Sequence, residues 1–137
     1  KRQEYVPMRN IFPFINKLTA GIGDFSIGDG YQPLLMGDKK IGVMICYEGI
    51  LPRAAKIYKN QSADLLVNVT NDAWFGPTSA PYQHFSMSLF RAIETRLYLV
   101  RAANTGISGI VDPTGKVVSK TDIFEADNIC FWSESLL

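Results

Sequence analysis

The sequence is poor in the residues that build metal centres and disulfide frameworks. Among 137 residues it holds one histidine, His84, and two cysteines, Cys46 and Cys130. So sparse a set leaves no structural zinc site, and neither a metal nor any other cofactor is expected. Two cysteines 84 positions apart make no disulfide scaffold of the small secreted kind. An excess of one charge is also missing, since 14 Lys and Arg face 13 Asp and Glu for a formal net charge of +1. That balance offers no field for a nucleic acid partner. Residues 1–60 carry nine basic and five acidic groups and residues 61–137 five and eight, a mild asymmetry that a solvated surface explains. Long apolar runs are absent: the longest, Val43 to Tyr47, falls far short of the ~20 residues that cross a bilayer. Lys1 opens no charged-then-apolar leader. Without repeats or low-complexity tracts, one continuous fold over 1–137 is the expectation, with no second domain. What is present is a hydrophobic fraction of 47%, ample for a core in a chain of this length.

Turn signals and apolar periodicity divide the chain. Pro7, Pro13, Gly21, Gly23, Gly28 and Gly30 break up the first thirty residues, with at most a short helix around Ile15 to Ala20. Gln32 to Met36 and Lys40 to Cys46 flank Gly37-Asp38 and read as a β-hairpin. The second of these strands is apolar on both faces, as in a sheet covered on both sides. Leu51 to Asn60 reads as a helix with Pro52 in its first turn, and Asp64 to Thr70 as another buried strand. Asn71 to Pro81 reads as a loop. From Tyr82 to about Tyr98 an amphipathic helix is predicted, with Phe85, Leu89, Phe90, Ile93 and Leu97 inward and Arg91, Glu94 and Thr95 outward. Leu99 to Ala103, Ile107 to Val111 and a segment through Val117 and Val118 read as strands, the last two joined by a Pro113-Thr114-Gly115 turn. The class is α/β with a largely buried sheet.

A few positions can carry chemistry. Cys46 ends a buried strand, at the edge where open α/β sheets bind ligands. The helix that follows offers N–H groups and a positive dipole end that favour a thiolate. From position alone, a buried cysteine acting as a small hydrophobe is the competing reading. Cys130, in Ile129-Cys130-Phe131-Trp132, reads as packing. Glu48 and Glu4 are candidate acid–base or orienting groups, with surface carboxylates as the alternative. His84 opens the amphipathic helix and is either a surface residue, a hydrogen-bonding prop or half of a Cys–His dyad. The stretch Asn68 to Gly76 leaves a strand through polar residues into Trp74-Phe75, placing Asn71, Trp74 and Phe75 where they can orient and cover a substrate or simply close the core edge. Asn104-Thr105-Gly106 is a similar polar turn.

Four motifs in order, Ile45-Cys46-Tyr47-Glu48, Asn71-Asp72-Ala73-Trp74-Phe75-Gly76, Phe90-Arg91-Ala92-Ile93-Glu94-Thr95-Arg96 and Arg101-Ala102-Ala103-Asn104-Thr105-Gly106-Ile107-Ser108, resemble the nitrilase-like carbon–nitrogen hydrolase superfamily. The Cys-Tyr-Glu and Asn-Asp-Ala-Trp-Phe-Gly forms resemble its apolipoprotein N-acyltransferase branch, over about Glu4 to Phe124. The resemblance implies an αββα sandwich with a Glu-Lys-Cys triad, and makes Cys46 the nucleophile. It implies supporting roles near the site for Glu4, Tyr47 and Glu48, with the Tyr47 N–H as an oxyanion donor, and substrate contacts for Asn71, Trp74 and Phe75. An acyl chain from a phospholipid would form a thioester on Cys46 and pass to the N-terminal amine of a lipoprotein. The implied location is the bacterial inner membrane, with the catalytic domain on the periplasmic side and a transmembrane region outside these residues.

The resemblance also implies a deficit. Aligned on Glu4, Lys1 falls where the family places a proline, and Lys1-Arg2-Gln3 departs from its apolar, glycine-containing approach. The triad's Glu and Lys would lie upstream, so residues 1–137 read as the C-terminal portion of the domain, incomplete at its N-terminal side. No acyl transfer is expected from the isolated chain. A soluble amidase of the same superfamily and a non-catalytic pseudoenzyme domain are the alternatives.

Overall fold

The computed structural model describes residues 30–130, which from Tyr31 onward belong to one compact unit. The expected helix near Ile15 lies outside the described residues. Six strands form one sheet in chain order: β1 Leu34–Met36, β2 Lys39–Ile45, β3 Leu65–Asn71, β4 Tyr98–Asn104, β5 Gly109–Val111 and β6 Val117–Lys120. The β1–β2 hairpin forms at Gly37-Asp38, where Gly37 takes a φ of 63° that L side chains rarely adopt, and Met36 pairs with Lys39. β2, β3 and β4 are parallel neighbours, and β5 and β6 add on antiparallel.

Two helices make the parallel crossovers. Helix α1, Pro52–Asn60, starts with a proline whose missing N–H costs nothing at that position, and buries Ala54, Ala55 and Tyr58. Tyr58 lies over Gly42, where a Cβ would come within 2.5 Å of its ring, and donates to the Val43 carbonyl at 2.6 Å. Helix α2, Ala80–Thr95, begins two residues before the expected start because Pro81 fits its first turn, and stops where Arg96 turns left-handed at φ 56°. Consecutive right-handed crossovers stepping the same way carry both helices to one face, and α1 and α2 pack on each other there. Met44, Leu66, Leu99 and Val111 of the sheet meet Ala54, Ala55, Tyr58, Phe85, Ala92 and Leu97 in a single core.

Two expectations need correction. The sheet is not covered on both faces by the described residues. Register lines up Ile45, Val69 and Ala102 on the side away from the helices, and all three are exposed, Ile45 by 62%. Helix α2 is also rotated from its expected orientation. Phe90 and Ile93 are exposed, whereas His84, Ser88, Arg91 and Thr95 are buried. Polar groups can line that inner face because each finds a partner. Ser88 donates to the Phe85 carbonyl at 2.7 Å and Thr95 to the Arg91 carbonyl at 2.6 Å. Arg91 donates to the Ile50 carbonyl and to Glu94 at 2.8 Å. That arginine pins α2 to the chain just after Cys46.

Candidate active site

Cys46 stands where β2 gives way to a short 3-10 turn, Cys46–Ile50, and its backbone is left-handed at φ 49°. Such a conformation costs a non-glycine residue roughly 1–2 kcal/mol and persists only where the surroundings impose it. The thiol is free and half-buried. Tyr47 is exposed. Glu48 is not a surface carboxylate: it is half-buried and accepts the Ile45 N–H at 2.9 Å, bracing the turn. Tyr31 and Tyr58 meet edge to face beside it, with centroids 5.7 Å apart. Burial, then the Glu48 charge and its hydrogen bond, push the Tyr31 phenol up, and burial with Glu48 and Tyr31 pushes Tyr58 up to about 12.

Beneath the turn lies a buried polar chain. Asn68 donates its amide to the Met44 carbonyl at 3.1 Å and to the Cys46 carbonyl at 3.2 Å. Its oxygen accepts from Arg101, whose guanidinium also donates to Asp72 at 2.9 Å and to the Ile107 carbonyl at 3.2 Å. Asp72 in turn accepts from Thr70 at 3.0 Å and meets His84 Nδ1 at 3.0 Å. Nδ1 also lies 3.0 Å from Arg101. Burial pushes the Asp72 carboxyl up, but the His84 hydrogen bond and the Arg101 charge outweigh it and hold the group below its ordinary value. Nδ1 thus faces an acceptor, Asp72 Oδ1, and a donor, the Arg101 guanidinium, and its role toward each follows from the ring's tautomer. Burial pulls the Arg101 guanidinium down, against the charge and the hydrogen bond of Asp72.

Two glycines press the neighbouring loops onto this chain. A Cβ on Gly49 would come within 2.7 Å of the Asn68 amide, and one on Gly106 within 2.4 Å of the Asp72 carboxylate. The Asn104-Thr105-Gly106 turn is therefore a wall of the site. At the carboxyl end of β3, the Asn71 oxygen accepts from the Ala73 N–H at 3.1 Å and from Asn104 at 3.2 Å. It ties two strand ends together below the short turn Ala73–Phe75. On that turn Trp74 is 83% exposed, and Phe75 meets the His84 ring edge-on at 5.7 Å.

The structure thus gathers Cys46, Tyr47 and Glu48 on one turn, with Asn71, Trp74 and Phe75 at the adjacent strand end. Glu4 lies outside the described residues. His84 is not on the helix surface but in the chain under Cys46, and Cys130 is exposed, not packed. Sequence reasoning missed Asn68, Asp72 and Arg101 as members of the site. The usable signal was a polar residue at an inward position of an otherwise apolar strand, as with Asn68 after Leu66 and Arg101 after Leu99. A cavity of about 500 Å³ lies at the opposite end of the sheet, by Lys39, Asp64 and Tyr98, and holds none of these residues. Among the described residues no three His, Cys, Asp or Glu gather as metal ligands, and no helix is long and apolar enough to cross a membrane.

Comparison with known proteins identifies the family and the fold. The carbon–nitrogen hydrolase family matches residues 2–130. The apolipoprotein N-acyltransferase of Geobacter metallireducens is 54% identical over 122 residues, covering 89% of this chain and 23% of that protein. The enzyme of the same name from Rickettsia prowazekii is 46% identical over 127 residues, covering 92% and 25%. The chain therefore spans about a quarter of the length of these relatives. Among solved structures, a carbon–nitrogen hydrolase from Helicobacter pylori G27 superposes with a TM-score of 0.63 at 20% identity, over 72% of this chain and 42% of that one. Saccharomyces cerevisiae Nit3, a member of the nitrilase superfamily, superposes with a TM-score of 0.60 at 23% identity, over 74% and 40%. At those identities the likeness is one of fold.

Proposed function

The chain belongs to the carbon–nitrogen hydrolase family, and from that premise we propose that it supplies the nucleophile of a lipoprotein N-acyltransferase. The observation that carries this reading is Cys46, a free thiol on a left-handed turn at the carboxyl end of a central strand. The identity to apolipoprotein N-acyltransferases over nine-tenths of the chain supports the substrate class.

In the proposed reaction the Cys46 thiolate attacks the ester carbonyl of a phospholipid acyl chain. The C–O bond breaks, and the lysophospholipid alcohol leaves with a proton. The thioester is then attacked by the N-terminal amine of a lipoprotein. The C–S bond breaks, an amide forms, and the amine's proton passes to a base. A thiol suits this sequence because it divides one hard transfer into two easier ones. The Tyr47 N–H would stabilise the oxyanion of each tetrahedral intermediate. Exposed Trp74 and Phe75, with Asn71 beneath them, would receive the acyl chain. Glu48 would hold the turn, and Glu4 would stand near the site.

We take residues 1–137 as the C-terminal portion of the hydrolase domain, with the acid–base partners and the membrane region supplied by the rest of the length its relatives have. The enzyme would then sit in the bacterial inner membrane with this domain on the periplasmic side, and residues 1–137 alone would not turn over. The full-length gene product, given phospholipid and a lipopeptide with a free N-terminal amine, should yield the N-acyl lipopeptide. Release of free fatty acid with no amide would show water, not the amine, taking the acyl group and would contradict the transferase. Hydrolysis of small amides instead would favour the amidase reading. Turnover by residues 1–137 alone would contradict the assignment of missing partners.

A further inference from the structure

The polar chain under Cys46 is more elaborate than packing requires. Asn68, Asp72, Arg101 and His84 are each more than nine-tenths buried, and buried charge is costly unless it is paired and hydrogen-bonded. The chain reaches the nucleophile through one amide. Asn68 holds the carbonyls of Met44 and Cys46, on either side of the left-handed φ. An asparagine amide has two orientations, and only one of them aims the NH₂ group at those carbonyls. Arg101 selects it, because a guanidinium can donate to Oδ1 but has nothing to accept from an NH₂ group.

Arg101 is fixed in its turn by Asp72, and the two oxygens of Asp72 are held separately. Oδ2 accepts from Arg101, whereas Oδ1 faces Thr70 and His84 Nδ1. Asp72 also reaches the aromatic turn, since its backbone carbonyl accepts the Phe75 N–H at 3.0 Å and the Phe75 ring lies edge-on to His84. His84 Nε2 is buried without a partner among the described residues, so the ring's one polar contact is with this chain.

We propose that His84 is a positioning residue, acting through Asp72, Arg101 and Asn68 to hold the Cys46 turn in its reactive conformation and to tie it to the Ala73–Phe75 turn. Without His84, Oδ1 keeps only Thr70, the carboxylate swings, Arg101 loses its fixed anchor and the Asn68 amide is free to flip. A flipped amide sets its oxygen against two carbonyl oxygens, and the left-handed turn relaxes. The inference rests on Cys46 as the nucleophile.

The test is the rate of Cys46 alkylation by iodoacetamide in the full-length gene product, resolved by site with mass spectrometry, with exposed Cys130 as the internal control. His84→Leu should slow Cys46 by about tenfold, the scale of one lost hydrogen bond to a charged group, and leave Cys130 unchanged. His84→Asn, whose amide can donate or accept in place of Nδ1, should stay within about threefold of the unaltered protein. Normal Cys46 alkylation in folded His84→Leu, or His84→Asn as slow as His84→Leu, would overturn the proposal. If His84→Leu does not fold, Thr70→Val decides. It is isosteric, sits at a half-buried strand position and withdraws the other hydrogen bond to Oδ1. It should slow Cys46 by about threefold, and an unchanged rate would overturn the proposal. Alkylation reads the turn whether or not an acyl chain is ever carried. A lost thioester with this alkylation pattern intact would therefore count against the function and not against the chain.

Discussion

Arg101 survives in the middle of an apolar sheet because Asp72, Asn68 and the Ile107 carbonyl take up its donors. Removing one member of such a pair strands the other in a dry site. Arg101→Met should therefore destabilise the protein by about 3–5 kcal/mol, read by urea denaturation. The Arg101→Met, Asp72→Asn double variant should cost less than the two single changes added together, because they share the interaction. Acid should act on the same pair. The Asp72 carboxyl is held below its unfolded value, so its contribution is fully present above the unfolded carboxylate pKa of about 3.9 and is lost as pH falls through the lower folded value. Stability should therefore drop below about pH 4, and by less in Asp72→Asn. A profile in that range unchanged by Asp72→Asn would contradict the assignment. Cys46 was legible from the sequence because a cysteine before Tyr-Glu at a strand end is both a position and a motif. Asn68 and Arg101 were not, because single polar residues in apolar strands announce burial but not their partners, which come from elements 33 residues apart.

At the scale of elements, the hairpin, both helices and the strands follow from punctuation and periodicity. Gly37-Asp38 and Pro52 mark their boundaries within a residue or two. The face of α2 was read wrongly for a physical reason. Apolar spacing favours Phe90 and Ile93, but Arg91, Ser88 and Thr95 bury through hydrogen bonds that hydropathy does not register. Loop contact with the site is equally invisible in spacing, since it depends on the absence of a Cβ at Gly49 and Gly106. Alanine at Gly106 should destabilise by about 1–3 kcal/mol through overpacking, and should slow Cys46 alkylation as well. Alanine at Leu99, fully buried in the core, should cost about 2–5 kcal/mol while leaving the Asp72 pH dependence in place. Polar replacement of exposed Phe90 should change stability by no more than about 0.5 kcal/mol. A large loss there would restore the face expected from periodicity.

At the scale of the molecule, the described residues form one helical layer on one side of one sheet, and the other side presents Ile45, Val69 and Ala102. Contiguous apolar surface of that kind marks a place for another layer or partner. Residues 1–137 prepared alone should bind a hydrophobic dye, and lysine at Val69 should reduce that binding without unfolding the chain. Absence of dye binding by the unaltered chain would show that this face is already covered. The family fold was readable from four ordered motifs, whereas which face of the sheet stands open was not, because apolar strand faces look the same whichever layer covers them. The most direct test of Cys46 as the acyl carrier is the intact mass of the full-length gene product after incubation with phospholipid, followed by peptide mapping. Expected is a single acyl adduct on the peptide containing Cys46, released by neutral hydroxylamine and absent from Cys46→Ala. An adduct that persists in Cys46→Ala, or maps to another residue, would contradict it.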